Sequence, residues 1–107
     1  MSNWVSVCAL SDITPGTGVC ALHGGEQVAI FRVAANDVVY AVSNFDPFSK
    51  ANVLSRGITG SLGGRIMVAS PMYKQHFDLK TGECLEDADV SLKVYPVRVT
   101  SGLVELG

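Results

Sequence analysis

Gly18-Val19-Cys20-Ala21-Leu22-His23-Gly24-Gly25-Glu26-Gln27-Val28-Ala29-Ile30-Phe31-Arg32-Val33 is the stretch whose reading decides the fold class. Two runs rich in Val, Ile, Leu and Phe flank a Gly-Gly pair. β-Branched and aromatic residues suit a pleated, half-buried surface. Adjacent glycines supply the positive-φ residues of a tight turn without steric cost. The stretch therefore predicts a hairpin, with strands over 18–22 and 27–33.

The same grammar repeats on either side. Residues 3–7 predict a first strand. After the turn pair Asn36-Asp37, residues 38–42 extend the meander. Residues 58–62 and 65–69 turn at Gly63-Gly64. A strand over 76–79 meets Lys80-Thr81-Gly82-Glu83, and strands over 94–100 and 103–106 turn at Ser101-Gly102. No amphipathic helical pattern exceeds two turns. Short strands at this spacing predict an all-β fold, an antiparallel sandwich or small barrel.

The 107 residues give room for one domain over 1–107, and 48% of them are apolar, enough for a compact core. With 17% charged residues and a net charge of −2, the chain carries no basic stripe, which argues against a nucleic-acid partner. No positive segment followed by an apolar one opens the sequence, and no run approaches the ~18 apolar residues of a membrane span. These readings predict a cytoplasmic location with no membrane contact. Cys8, Cys20 and Cys84 form no C-x-x-C, so they predict small buried hydrophobes. A Cys8–Cys20 disulfide is the alternative, and a reducing cytosol disfavours it.

Familiar catalytic patterns are missing. Gly16-Thr17-Gly18 lacks the third glycine and the helix of a dinucleotide site. No phosphate-binding loop and no G-x-S-x-G elbow occur. His23 reads as a solvated turn residue and His76 as an edge or packing histidine. Glu86, Asp87 and Asp89 crowd one segment and read as a solvated loop.

Two loops carry the chemistry. The first follows Ala41-Val42 and reads Ser43-Asn44-Phe45-Asp46-Pro47-Phe48-Ser49-Lys50-Ala51-Asn52-Val53-Leu54-Ser55-Arg56-Gly57. At about fifteen residues it exceeds an ordinary connection, and such loops are usually functional or relics of function. The second reads Ser70-Pro71-Met72-Tyr73-Lys74-Gln75 and runs into His76-Phe77-Asp78-Leu79-Lys80-Thr81-Gly82. This layout resembles the Rieske family, whose loops follow A-V-x-N-x-C-P-H and C-P-x-H, the second leading into F-D-x-x-T-G. Asn44, Pro47, Leu54, Gly57, Pro71, Phe77, Asp78, Thr81 and Gly82 all fall in place.

The resemblance implies two loops gathered at one tip of a Rieske-like domain. It also equates Asp46 and Ser70 with the family's cysteines, and Phe48 and Tyr73 with its histidines. A Rieske cluster needs two thiolates and two imidazoles. A phenyl ring has no lone pair for a metal, and carboxylate and hydroxyl oxygens are hard where iron–sulfur chemistry wants soft sulfur. The residues therefore predict no cluster and no metal on this chain. A lone ion held by Asp46, Tyr73 and His76 is a weaker alternative.

The Asp-Pro-Phe and Ala-Ser-Pro replacements, with Val53-Leu54-Ser55-Arg56-Gly57, are similar to one ligand-free branch: the small subunits of bacterial NAD(P)H-dependent nitrite reductases. That resemblance implies an oxidoreductase complex reducing nitrite to ammonium in nitrate assimilation. FAD, an iron–sulfur cluster and sirohaem would sit on a large subunit. This chain would carry no catalytic residue and no cofactor. Phe48 and Tyr73 would fill the space of the lost cluster, each contributing about 2–3 kcal/mol by burial. Phe48, Met72, Tyr73 and Lys74 are the candidates for docking the large subunit. A free-standing binding or regulatory module on the same fold is the alternative reading.

Overall fold

The computed structural model describes residues 4–33, 38–72 and 74–107. Its strands run in chain order as β1 (Val5–Ala9), β2 (Gly18–His23), β3 (Glu26–Arg32), β4 (Val39–Ser43), β5 (Phe45–Asp46) and β6 (Ala51–Asn52). They continue as β7 (Ile58–Leu62), β8 (Arg65–Ala69), β9 (His76–Asp78), β10 (Val94–Tyr95), β11 (Val97–Thr100) and β12 (Leu103–Leu106). Two single-turn 3-10 segments, Leu10–Asp12 and Leu54–Arg56, are the helical elements among the described residues. The all-β prediction holds. Strand order is β10-β4-β3-β2 in the central sheet, β1-β12-β11 below it and β7-β8-β9 above it, with β5-β6 as a small ladder. None of these sheets closes into a barrel, so the arrangement is layered.

The run Val28-Ala29-Ile30-Phe31 explains the layering. All four residues are fully buried. Successive side chains of a strand point to opposite faces. Ala29 and Phe31 join Val42, Leu54, Val68, Phe77 and Leu79 in one core. Val28 and Ile30 join Ile13, Ala41, Tyr95, Val104 and Leu106 in the other. A strand covered on both faces reads as a continuous apolar run rather than an alternating one. The central sheet thus separates an upper core, beneath the two loops, from a lower one.

The hairpin turns behave as their composition requires. Gly24 and Gly25 have φ of 59° and 80°, the pattern of a two-residue turn with both central residues left-handed. Several boundaries differ from the sequence reading. β1 starts and ends later than 3–7, and Asn3 lies outside the described residues, as does the turn pair Asn36-Asp37. The strand over 94–100 is two strands in two sheets, β10 and β11. Pro96 divides them, since proline donates no ladder hydrogen bond. All three described cysteines are free. Cys84 is buried as expected, but Cys20 is exposed on edge strand β2, with its Sγ 3.4 Å from Gln27 Oε1. His23 contacts the Gly107 carbonyl through Nε2 at 3.2 Å and meets Tyr95 edge-on, so it is tied down rather than free in solvent.

Candidate functional site

The first loop is hung on Asn44, which is nearly fully buried. Its Oδ1 accepts the Ser55 amide at 2.7 Å, and its carbonyl accepts the Leu54 amide at 3.1 Å. Its Nδ2 donates to Gln27 Oε1 at 3.1 Å. One side chain thus joins both ends of the loop to the β2–β3 hairpin. Within the loop, β5 and β6 pair Phe45 with Asn52 and Asp46 with Ala51. The base of the loop presses on the end of β8, just before the second loop, at Gly57, where an added Cβ would collide with the Ala69 carbonyl. Only glycine permits that approach.

Asp46 and Ser70 come together where the loops meet. Both are buried, at 0% and 1% exposure. Ser70 Oγ donates to Asp46 Oδ2 at 2.5 Å. The Phe48 amide donates to Asp46 Oδ1 at 2.9 Å, and the Met72 amide approaches Ser70 Oγ at 3.3 Å. Burial pushes the Asp46 carboxyl up, but the Ser70 hydroxyl and the Phe48 and Ser49 amides outweigh it and hold the carboxyl below the usual range. A buried carboxylate is tolerable when its lone pairs are filled this way. The sequence reading put these two residues at thiolate positions without pairing them. Two residues equated with ligands of one iron must lie close, and that proximity was the available signal.

The two loops share a backbone geometry. The Lys50 amide donates to the Asp46 carbonyl at 2.7 Å, and the Lys74 amide to the Ser70 carbonyl at 3.1 Å. Each lysine closes its turn in left-handed backbone, with φ of 58° and 62°. Each turn begins with a residue followed by proline, Asp46-Pro47 and Ser70-Pro71. The loops are thus two copies of one turn, fastened to each other at their first residues.

Phe48 is half-buried and packs on the upper core, its ring centroid 6.2 Å from that of Phe77. Met72 and Lys74 are exposed, Met72 at 55%. Tyr73 lies outside the described residues. At the foot of the second loop, His76 Nδ1 contacts Glu86 Oε2 at 2.7 Å, and the His76 amide donates to Glu86 Oε1 at 2.7 Å. Burial raises the Glu86 carboxyl, but the His76 amide and ring hold it below its ordinary range. The 86–89 segment is therefore anchored at Glu86. Arg65 bridges Asp78 and Glu83 at 2.8 and 2.9 Å, closing the far end of β8–β9.

The donor set at the loop junction does not suit an iron–sulfur cluster. It offers carboxylate, hydroxyl and phenyl groups, and its carboxylate and hydroxyl already satisfy each other. Among the described residues, no three His, Cys, Asp or Glu side chains gather as a metal-binding group. His76, the alternative partner in a lone-metal reading, turns to Glu86 instead.

The order of the strands and the paired proline turns at one end define the chain as a Rieske-like domain. A family model described as a Rieske-like [2Fe-2S] domain matches residues 3–107. The nitrite reductase (NADH) small subunit of Salmonella typhimurium is 55% identical over 106 residues, covering 99% of this chain and 98% of that protein. A solved structure described as the putative NADH-dependent nitrite reductase small subunit of Mycobacterium tuberculosis superposes with a TM-score of 0.93 at 49% identity. It covers 99% of this chain and 95% of that one. The nitrite reductase [NAD(P)H] large subunit of Klebsiella oxytoca is 40% identical over 104 residues, which span 97% of this chain and 11% of that protein. The chain belongs to the nitrite reductase small-subunit family, a branch of the Rieske-like domains.

Proposed function

We propose that this chain is the non-redox small subunit of a cytoplasmic NAD(P)H-dependent nitrite reductase acting in nitrate assimilation, and that it docks on the large subunit through the tip where its two loops meet. The observation that carries this reading is the Asp46–Ser70 hydrogen bond. A junction closed by a carboxylate and a hydroxyl has its polar groups satisfied and no soft donor to offer iron. Electron transfer through flavin, iron–sulfur cluster and sirohaem then belongs to the large subunit, and this chain contributes no catalytic residue and no cofactor.

The Klebsiella oxytoca relative supports the choice of partner. There a segment similar to this whole chain is part of a large-subunit polypeptide. A domain found within its partner's chain acts alongside that partner, which favours a subunit over a free-standing regulatory module. At the tip, Met72 and Lys74 are exposed, and Phe48 is half-buried against the upper core. Tyr73 lies between Met72 and Lys74 in sequence. Exposed Met and aromatic residues suit the centre of an interface.

The test is co-purification. The purified protein is expected to be colourless and free of iron, and to pull down the large subunit. Met72→Ala combined with Tyr73→Ala should weaken both the pull-down and nitrite-dependent NADH oxidation while the fold stays intact. Stoichiometric iron in the isolated chain would overturn the non-redox reading. Full retention of both activities in the double variant would place the docking surface elsewhere.

A further inference from the structure

The two loops share one turn, and each puts a lysine where a Cβ is unwelcome. From this we infer that Lys50 and Lys74 are an electrostatic recognition pair, directed at an acidic patch on the large subunit. The inference rests on the subunit reading above and adds the chemistry of the partner surface.

The backbone argument comes first. Lys50 and Lys74 have φ of 58° and 62°. Left-handed backbone disfavours side-chain-bearing residues, and glycine or asparagine fits it more easily. The turn uses only the amide of each lysine, which donates to the carbonyl four residues back. Glycine supplies the same amide. Among the described residues the one other non-glycine with positive φ is Ser101, whose two-residue hairpin turn with Gly102 imposes that conformation on any residue. Unfavourable backbone kept at two equivalent positions points to a use for the side chains.

That use is not internal. Both lysines are exposed, and among the described residues neither side chain has a hydrogen-bond or ion-pair partner. Arg65, Lys93 and Arg98, by contrast, all pair with carboxylates. Residues 43–57 and 70–75 hold three cations, Lys50, Arg56 and Lys74, and one acid, Asp46. Asp46 is buried and its oxygens are filled. The chain as a whole carries −2. The two loops are therefore positive on an otherwise acidic domain, with the acidic segment 86–89 anchored at the foot of the second. Exposed Met72 and Phe45 add apolar contact in the same loops. Apolar side chains bordered by cations complement an apolar spot bordered by carboxylates.

The experiment titrates the purified large subunit with wild-type chain and three variants over a series of salt concentrations. The control is Lys80→Glu, an exposed lysine beyond the opposite end of β9 from the loops. Wild-type affinity should fall as salt rises. The double reversal Lys50→Glu with Lys74→Glu should weaken low-salt binding about tenfold or more and flatten the salt dependence. Lys50→Gly with Lys74→Gly should also weaken binding, while its melting temperature equals or exceeds that of wild type. Lys80→Glu should bind as wild type does. Reversal and glycine variants that bind like wild type at every salt concentration would overturn the inference and leave the subunit reading standing. A wild-type chain that does not bind the large subunit at all would overturn the subunit reading and this inference together.

Discussion

Loop 43–57 is long and carries its own supports, whereas loop 70–75 is short and leans on its neighbour. The first contains the β5–β6 ladder, a 3-10 turn and the Asn44 bonds that join its two ends. The second has two internal backbone bonds, Ser70 to Gln75 and Lys74 to Ser70, and then the Ser70 hydroxyl reaching across to Asp46. Both contain the same left-handed lysine turn. The asymmetry lies in chemistry: the first loop supplies a charged acceptor, and the second supplies a neutral donor. Removing the acceptor strands more groups than removing the donor, and that ordering can be measured.

Asp46→Ala should have the largest effect. It leaves the Ser70 hydroxyl and the Phe48 amide without their acceptor, and unsatisfied buried groups cost about 1–3 kcal/mol each, so a loss of about 3 kcal/mol in urea unfolding is expected. A loss below about 1 kcal/mol would mean that the junction relaxes and finds other partners. Phe48→Ala comes next. Full burial of phenylalanine is worth about 3–5 kcal/mol on truncation, and a half-buried ring should give about 2 kcal/mol. Ser70→Ala follows at about 1.5 kcal/mol, since the carboxylate keeps the Phe48 amide on its other oxygen.

The smallest effect is on the acid limb of stability. The folded Asp46 carboxyl titrates below its unfolded value, because the Ser70 and backbone bonds outweigh burial. Its ionisation therefore stabilises the fold fully above the unfolded value, about pH 3.9, and that contribution is lost as pH falls through the folded value. Asp78 and Glu86 are lowered too, and act in the same direction. Asp46→Asn should make the acid limb shallower without abolishing it, so wild type and variant converge in stability below about pH 4. Parallel curves down to the acid transition would show that Asp46 titrates normally.

Much of this was legible in the chain because glycine pairs mark the turns. Strands Ile58–Leu62, Arg65–Ala69 and Leu103–Leu106 sit where the sequence places them. Elsewhere local pattern was insufficient. Two-residue strands such as Phe45–Asp46 have no periodicity to read. Pro96 was visible, but only the sheet order reveals that the chain changes layers there. The apolar run around Cys20 suggested a buried cysteine, but on this edge strand Val19 and Ala21 pack on the lower core while Cys20 is exposed. At the tip, spacing alone could not pair Asp46 with Ser70, 24 residues away. Family resemblance put both at ligand positions, and the pairing follows once those positions are seen to share one iron.

The most direct measurement is a double-mutant cycle on Asp46 and Ser70, with both alanine variants and their combination followed by urea unfolding. Hydrogen bonds to a charged group contribute about 1.5–3 kcal/mol, so a coupling energy of at least about 1.5 kcal/mol is predicted, with the double variant far better than additive. Losses that add to within about 0.3 kcal/mol would show that the loops are not fastened through this pair, and would contradict the account of the tip.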